Sequence, residues 1–547
     1  MARCAYCGDS DKPNVFKPYD LGCWISSGEA CPSCVGIYQL ESQIQEAKQA
    51  LDLMFQRHYE MKRQINRSHD PMAGRLPPEI VLIIFQFCMP DIRRDTQGLW
   101  KFSSKEIATP LTLGAVCQHW RYVAWSTPEL WTVIKVDLDA SHLRLQCHLA
   151  RDWLSRSGSQ LPLSIRIFAS RSGQRLKHPG SAKIAREFIH TLNRYSDRWR
   201  LLDLSIPPYL FPTFCGDSLA SSILRTLQLE AIPQYAPGEN FKFNRQKVKL
   251  KPEVVFLSDL PLRAVNIEWD NVTQVKLQGL PPRDCFRLLK RALQLKDCTF
   301  YDIGLDRAGN HPTATDTISH SQLTVLDVSS QYTLDPFFTR VAFPALEELS
   351  YDTMQEGYNI SITTLISLIK RSSSRLRKLR IEDITVDQIA LISLLEVVPF
   401  LWQLEIVTGT SSALDSLFNH LAMTSIANDS DTENDEQLVH FLPELQFLRF
   451  QIPVQPSCKF IPAIFGPLFE LDNRRRRPLH TILVHFEWRE DDPIFSIDKE
   501  IMRDILSILG AGLNLEILYL YHQPPLDLIR ASMDDYGVVT DINEGNA

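Results

Sequence analysis

The chain has 547 residues, 44% of them hydrophobic and 22% charged, and a formal net charge of −7. That is globular composition with length for roughly three or four domains, and the acidic balance excludes a surface that is basic throughout, as binders of nucleic acid or phospholipid need. No run approaches the ~18–20 apolar residues that span a bilayer.

The start, Met-Ala-Arg-Cys-Ala-Tyr-Cys, lacks the apolar core of a secretory signal, so the expected compartment is the cytoplasm, the nucleus or both. The 12 cysteines are then expected to be reduced or metal-bound, and the sequons at Asn66, Asn271 and Asn359 to be chance. Residues 1–36 hold two thiol pairs, Cys4-x-x-Cys7 and Cys31-x-x-Cys34, with Cys23 between them. A tight turn lets each pair put two thiolates on one ion, and Gly8 and Pro32 suit such turns. Cys4, Cys7, Cys31 and Cys34 together would complete one tetrahedral structural zinc site, whose binding energy could fold a segment with few large apolar residues. The gap between the pairs, residues 8–30, slightly exceeds the usual spacing of about 15–20. An unfolded head with ordinary thiols and a redox pair are the other two readings.

Residues 37–70 read as one long helix. Ile37, Leu40, Ile44, Ala47, Leu51, Met54, His58, Met61 and Ile65 alternate steps of three and four, which is coiled-coil spacing. Ala47 and His58 weaken the seam, so a homodimer through this helix competes with packing inside the chain. Asp70-Pro71 and Gly74 end the element.

Residues 71–138 announce three short helical segments by their start signals. Pro77-Pro78, Thr109-Pro110 and Thr127-Pro128 each fix φ where a helix begins, with Thr as N-cap in the last two. In the first segment Ile80, Ile83, Ile84 and Phe87 form one apolar stripe, and Val81, Phe85 and Cys88 form another beside it. A small helical unit buries one stripe against itself, so the second calls for a neighbouring domain or a partner.

In order, the chain reads Leu76-Pro77-Pro78-Glu79-Ile80, then Val116-Cys117-x-x-Trp120-Arg121, then Thr127-Pro128-Glu129-Leu130-Trp131. These three phrases in register resemble the F-box, the helical module by which substrate receptors dock on the Skp-type adaptor of cullin–RING ubiquitin ligases, and most of all the F-box of basidiomycete fungal proteins. The match covers about 60 residues, and the link 90–108 is longer and more charged than the family's usual one. The resemblance implies that Leu76, Pro77, Pro78, Ile80, Ile83, Ile84, Phe87, Val116, Cys117, Trp120, Arg121, Leu130 and Trp131 make the module's core and adaptor face.

Residues 139–530 are repetitive. Phrases such as Leu323-x-x-Leu326-x-Val328, Leu376-x-x-Leu379-x-Ile381, Leu401-x-x-Leu404-x-Ile406 and Leu445-x-x-Leu448-x-Phe450 recur at about 21 to 35 residues, and others lie at 201–204, 224–229, 262–267, 272–277, 293–295, 346–349, 479–486 and 515–520. Amphipathic helices are expected between them at 283–292, 360–371 and 386–398. The first, fourth and sixth positions would enter a stacked core while Arg377, Lys378, Arg380, Gln403 and Glu405 alternate outward. The pattern predicts an irregular leucine-rich-repeat-like α/β solenoid with a parallel sheet, although the consensus Asn is mostly absent and strands of α/β domains share the phrase. The fold class expected is thus α plus α/β: Cys-rich segment, long helix, small helical module, then solenoid.

Three further stretches stand out: an acidic insertion at 428–436, the run 474–477 of four arginines, and an acidic tail at 531–547. Each reads as a solvated loop or frayed end. No Walker loop, Gly-x-Gly-x-x-Gly, His-Glu-x-x-His or Gly-x-Ser-x-Gly occurs, and the 14 histidines are scattered. The expectation is a non-catalytic substrate receptor that joins a Skp-type adaptor, and through it a cullin, to an unknown protein substrate, without nucleic acid or membrane as partners. The rivals are a repeat scaffold with no role in ubiquitination and a zinc-headed chromatin or RNA factor, the latter disfavoured by the lack of a basic stripe.

Overall fold

The computed structural model describes residues 32–68, 76–89, 92–94, 100–101, 109–170, 176, 178–216, 222–232, 242–244, 249–303, 317–353, 361–383, 388–408, 412–425, 441–453, 458–466, 468, 476–486, 496–520 and 525–536. They fall into two compact units, one within Met1–Asp91 and Ser103–Leu130, the other within Ile92–Phe102 and Trp131–Ala547.

The first unit is helical: α1 Pro32–Ser68, α2 Pro78–Phe87, α3 Thr109–Val116 and α4 Gln118–Ser126. α1 covers the heptad stretch and starts at Pro32, so the residue expected inside a metal-binding turn opens a helix instead. The seam residues Leu40, Leu51, Met54, Met61 and Ile65 are exposed in this chain. Cys4, Cys7 and Cys31 lie outside the described residues, and of Cys34 only its place in α1 is described. Among the described residues no group of three or more His, Cys, Asp or Glu could hold a metal, and no helix is long and apolar enough to cross a membrane.

The second unit is mixed α/β around a large, mostly parallel sheet. Inside the long charged link, β1 Arg93–Arg94 pairs antiparallel with β2 Trp100–Lys101. The main sheet begins with β3 Val133–Asp137, β4 Leu163–Phe168, β5 Trp199–Ile206, β6 Thr226–Ala231, β7 Val254–Ser258, β8 Gln274–Gln278 and β9 Asp297–Tyr301. After a small parallel pair, β10 Ile318–Ser319 with β12 Val341–Ala342, it takes in β11 Val325–Ser330, β13 Glu348–Thr353, β14 Lys378–Asp383 and β15 Gln403–Thr408. It closes with β16 Phe447–Ile452, β17 Thr481–Phe486, β18 Asn514–Tyr519 and the antiparallel β19 Leu526–Asp527. The fifteen strands follow one another in chain order.

Helices fill many of the connections: α5 Leu143–Arg156, α6 Pro179–Asn193, α7 Pro282–Arg291, α8 Asp335–Phe338, α9 Ile362–Ser372, α10 Gln388–Glu396, α11 Ser412–Met423, α12 Ile461–Phe465, α13 Lys499–Gly510 and α14 Leu528–Asp535. α7, α9 and α10 fall where amphipathic periodicity predicts them. Parallel strands need such crossovers, since a hairpin turn cannot return the chain to the same edge.

The register explains the leucine phrases. Leu326, Leu349, Leu379, Leu404, Leu448, Ile482 and Leu515 are successive cross-strand partners, all buried. Two residues along each strand, Val328, Tyr351, Ile381, Ile406, Phe450, Val484 and Ile517 form a second buried row. Period-two alternation puts both rows on one face of the sheet, and neither row can be dry unless the strands stack.

Four expectations need correction. The phrase 262–267 is not a strand of the main sheet: after Pro261 it winds into a 3₁₀ turn over Leu262–Ala264, and only Val265 and Ile267 make isolated parallel bridges, to Phe243 and Leu250. The phrase 293–295 precedes a strand rather than being one, because β9 begins at Asp297. Val133–Asp137, inside the range 71–138 assigned to the helical module, is an edge strand of the sheet. The arginine run is no solvated loop in its described part, since Arg476 and Arg477 are both buried. The acidic insertion 428–436, with Arg474 and Arg475, lies outside the described residues, as does the tail beyond Tyr536.

Candidate functional site

The helical unit is organised by α2. Pro77 and Pro78 give up no N–H the helix needs, and the Pro77 carbonyl accepts from the N–H groups of Ile80 at 3.0 Å and Val81 at 3.2 Å. Of the two apolar stripes on this helix, Val81 and Phe85 are fully buried, while Ile80, Ile83 and Phe87 are 41%, 44% and 86% exposed. The sequence offers both stripes without choosing between them, and the structure buries the one that holds Val81 and Phe85. Ile84 and Leu76 are half-buried, and Pro77, Pro78 and Cys88 are exposed.

Phe85 packs on Trp120 of α4, ring centroids 5.1 Å apart and tilted by 55°. Cys117 precedes α4 and caps it with an extended backbone and its side chain: its Sγ accepts from the Trp120 N–H at 3.4 Å. Cys117 thus has a local task in the Cys-x-x-Trp phrase. The indole Nε1 of Trp120 is buried and without a partner among the described residues. Val116, Arg121 and Tyr122 are exposed. Thr127 is not the expected N-cap: it ends α4, and its buried hydroxyl donates back to the Val123 carbonyl at 2.7 Å.

Leu130 and Trp131, expected in the core or docking face of this module, are both buried. Trp131 belongs to the sheet unit, where it meets Trp153 of α5 edge-on at 4.6 Å and the Arg156 guanidinium at 5.1 Å. The open apolar surface of α2 is therefore Ile80, Ile83 and Phe87, at spacings three and four along one helix face.

A second surface is the polar face of the sheet. From β11 to β16 its middle row reads Asp327, Ser350, Arg380, Glu405 and Arg449, with Asp352 and Glu382 side by side two residues on. Arg380 donates to Glu382 at 2.9 Å, and both Arg380 and Arg449 approach Glu405 at 3.9 Å. Ser329 donates to Asp352 at 3.0 Å. Burial, reinforced by the adjacent Glu382 carboxylate, pushes the Asp352 carboxyl up, and burial does the same to Asp327 against a hydrogen bond from Ser350. Lys378, Arg380 and Glu405 stand where strand alternation predicts them. Asp327, Asp352 and Arg449 stand at outward positions of the same alternation, which is the one sequence signal that marks them.

No family model and no curated protein matches this chain. Among solved structures it is similar to a crystal structure of a Bacteroides fragilis protein, at 9% identity and a TM-score of 0.26, over 51% of this chain and 69% of that one. A likeness of that degree carries no argument.

Proposed function

We propose that this chain is the substrate-recognition subunit of a Skp–cullin–F-box type ubiquitin ligase. The helical unit around α2 is read as the F-box, with Ile80, Ile83 and Phe87 as anchors for a Skp-type adaptor and, through it, a cullin. The observation that carries the reading is the division of α2: one stripe is spent on the internal core and the other is left open. Exposed apolar side chains on one helix face, in a unit that has already closed its core, fit a partner's groove. The phrases that resemble the F-box supply the identity of that partner.

In this reading the sheet-bearing unit is an irregular leucine-rich-repeat-like solenoid, and its charged strand face takes the protein substrate. The chain holds that substrate near the ubiquitin-charged enzyme, which raises effective concentration; the bond-forming chemistry belongs to other subunits. The open heptad seam of α1 supports pairing of two such chains.

The test is co-purification of the full chain with a Skp-type adaptor, beside Phe87→Asp. A stable complex that the substitution abolishes, with the variant still folded, supports the receptor reading. Failure of the folded parent to bind the adaptor would overturn it and leave a non-catalytic repeat scaffold.

A further inference from the structure

Described residues of the connections between β6, β7, β8 and β9 line a cleft of about 920 Å³ that is open to solvent. Lys242 and Lys249 reach it from the β6–β7 connection, Arg263 from the β7–β8 connection, and Lys290 and Arg291 from the last turn of α7. All five are exposed, and none makes an ion pair with a described residue. Two carboxylates share the wall, Glu268 and Asp270, and the first is already held by Lys251 Nζ at 3.3 Å. Among the described residues five cations thus stand against a single carboxylate outside that pair, on a chain whose formal net charge is −7.

The wall is tied together before anything enters it. Asn266 Nδ2 donates to the Asn244 carbonyl at 2.8 Å, and Asn244 Nδ2 donates to the Asn266 carbonyl at 3.3 Å. The parallel bridges Phe243 to Val265 and Leu250 to Ile267 join the same two connections, and the buried Trp269 fills the wall beside them. A cleft in the range of ~300–1,000 Å³ is the size of a small-molecule site. Like charges around one cavity repel one another, and an anion of several charges converts that repulsion into attraction. A single carboxylate could not balance five cations. Phosphate groups can, since each carries close to two charges and accepts from the arginine fork and the lysine ammonium alike.

We propose that this cavity binds a small, multiply phosphorylated anion. The site shares no residue with α2 or with the charged strand face, and it stands whether or not the chain joins a ubiquitin ligase.

The experiment is calorimetric titration of the full chain with inorganic tripolyphosphate at low salt. The expected result is saturable one-to-one binding that weakens with added salt and falls by about tenfold or more in the double variant Lys290→Glu/Arg291→Glu. Lys183→Glu, an exposed lysine of α6 outside the cavity, should bind like the parent. Both changes are at exposed positions, and unchanged circular dichroism separates lost binding from lost folding. A parallel sedimentation with vesicles of neutral lipid containing a phosphoinositide distinguishes sources. Vesicle binding that tripolyphosphate displaces puts the phosphate on a lipid headgroup, and tripolyphosphate binding alone puts it on a free molecule. Absence of saturable binding by the parent, or binding that survives the double variant, would overturn the proposal.

Discussion

Gly114 of α3 lies directly beneath the indole of Trp125 of α4: a Cβ at Gly114 would stand 1.7 Å from Trp125 Cζ3 and 2.4 Å from Cη2. The contact is with a rigid ring, so no flexible chain end can move aside. Glycine in a helix interior costs roughly 0.5–1 kcal/mol relative to alanine, and here that cost admits the close approach of two helices. Gly114→Ala should therefore destabilise the helical unit instead of strengthening the helix, by about 1–3 kcal/mol of overpacking. Urea unfolding followed by tryptophan fluorescence would register a lower midpoint for that unit. An unchanged midpoint would mean that the indole turns away freely.

Neighbouring aromatics on α2 should separate folding from docking. Phe85→Ala removes a buried ring that packs on Trp120 and should cost about 3–5 kcal/mol, enough to unfold a small helical unit. Phe87→Asp changes a side chain that is 86% exposed and should leave the unfolding midpoint within about 0.5 kcal/mol of the parent. Its effect belongs on adaptor binding, where loss of an apolar anchor typically costs ~2 kcal/mol or more. Surface plasmon resonance with a Skp-type adaptor reads the second effect and thermal unfolding the first. Equal loss of stability in both variants would place Phe87 in the core.

How much of this could be read from sequence depends on what each position has to satisfy. The leucine phrases around Leu379, Leu404 and Leu448 announce their strands because a leucine three residues upstream leads two buried apolar positions at period two. β9 hides the same arrangement, since Cys298 stands in its leucine row ahead of Phe300. β4, with Ile165 and Ile167 inward, and β7, with Val255 and Leu257 inward, lack the leading leucine that makes the phrase recognisable. On α2 periodicity finds both stripes but cannot choose between them, because the choice rests on where Trp120 arrives from thirty-five residues away. The carbonyl contacts of Arg477 are equally non-local.

Arg477 is 3% exposed and is bonded on all three guanidinium nitrogens. Nε donates to the Leu442 carbonyl at 3.2 Å and Nη1 to the Leu421 carbonyl at 2.9 Å. Nη2 donates to the carbonyls of Phe441 at 2.8 Å and Thr424 at 3.1 Å, and to Thr424 Oγ1 at 2.9 Å. One side chain so ties together the two sides of the acidic insertion. Burial pushes its pKa down to about 10, which still leaves it charged at neutral pH. Arg477→Met keeps much of the volume but leaves four carbonyls without this donor, at roughly 1–3 kcal/mol for each that water cannot reach. The expected outcome is a loss of several kcal/mol and faster amide hydrogen exchange at Leu421 to Ser425. Arg477→Lys should recover little, because one ammonium cannot span the four carbonyls of the guanidinium fork.

Asp203, in the middle row of the polar sheet face, sets a pH dependence whose sign is opposite to that of most carboxylates. Burial pushes its pKa up to about 6; Arg166 Nη1 at 3.5 Å opposes this and the nearby Glu230 carboxylate adds to it. In an unfolded chain the same carboxyl titrates near ~3.9. The folded protein therefore holds this proton more tightly, and stability falls as pH rises wherever the folded state binds more protons. The contribution is complete below about 4 and lost as pH rises through about 6, amounting to on the order of 2–3 kcal/mol. Asp203→Asn replaces the neutral acid by a neutral amide, so it should remove this component of the pH profile and be neutral or stabilising at pH 7. Urea midpoints of parent and variant at pH 4.5 and pH 7 decide the matter. A variant that is less stable at pH 7 and no different at pH 4.5 would show that the ion pair with Arg166 outweighs burial.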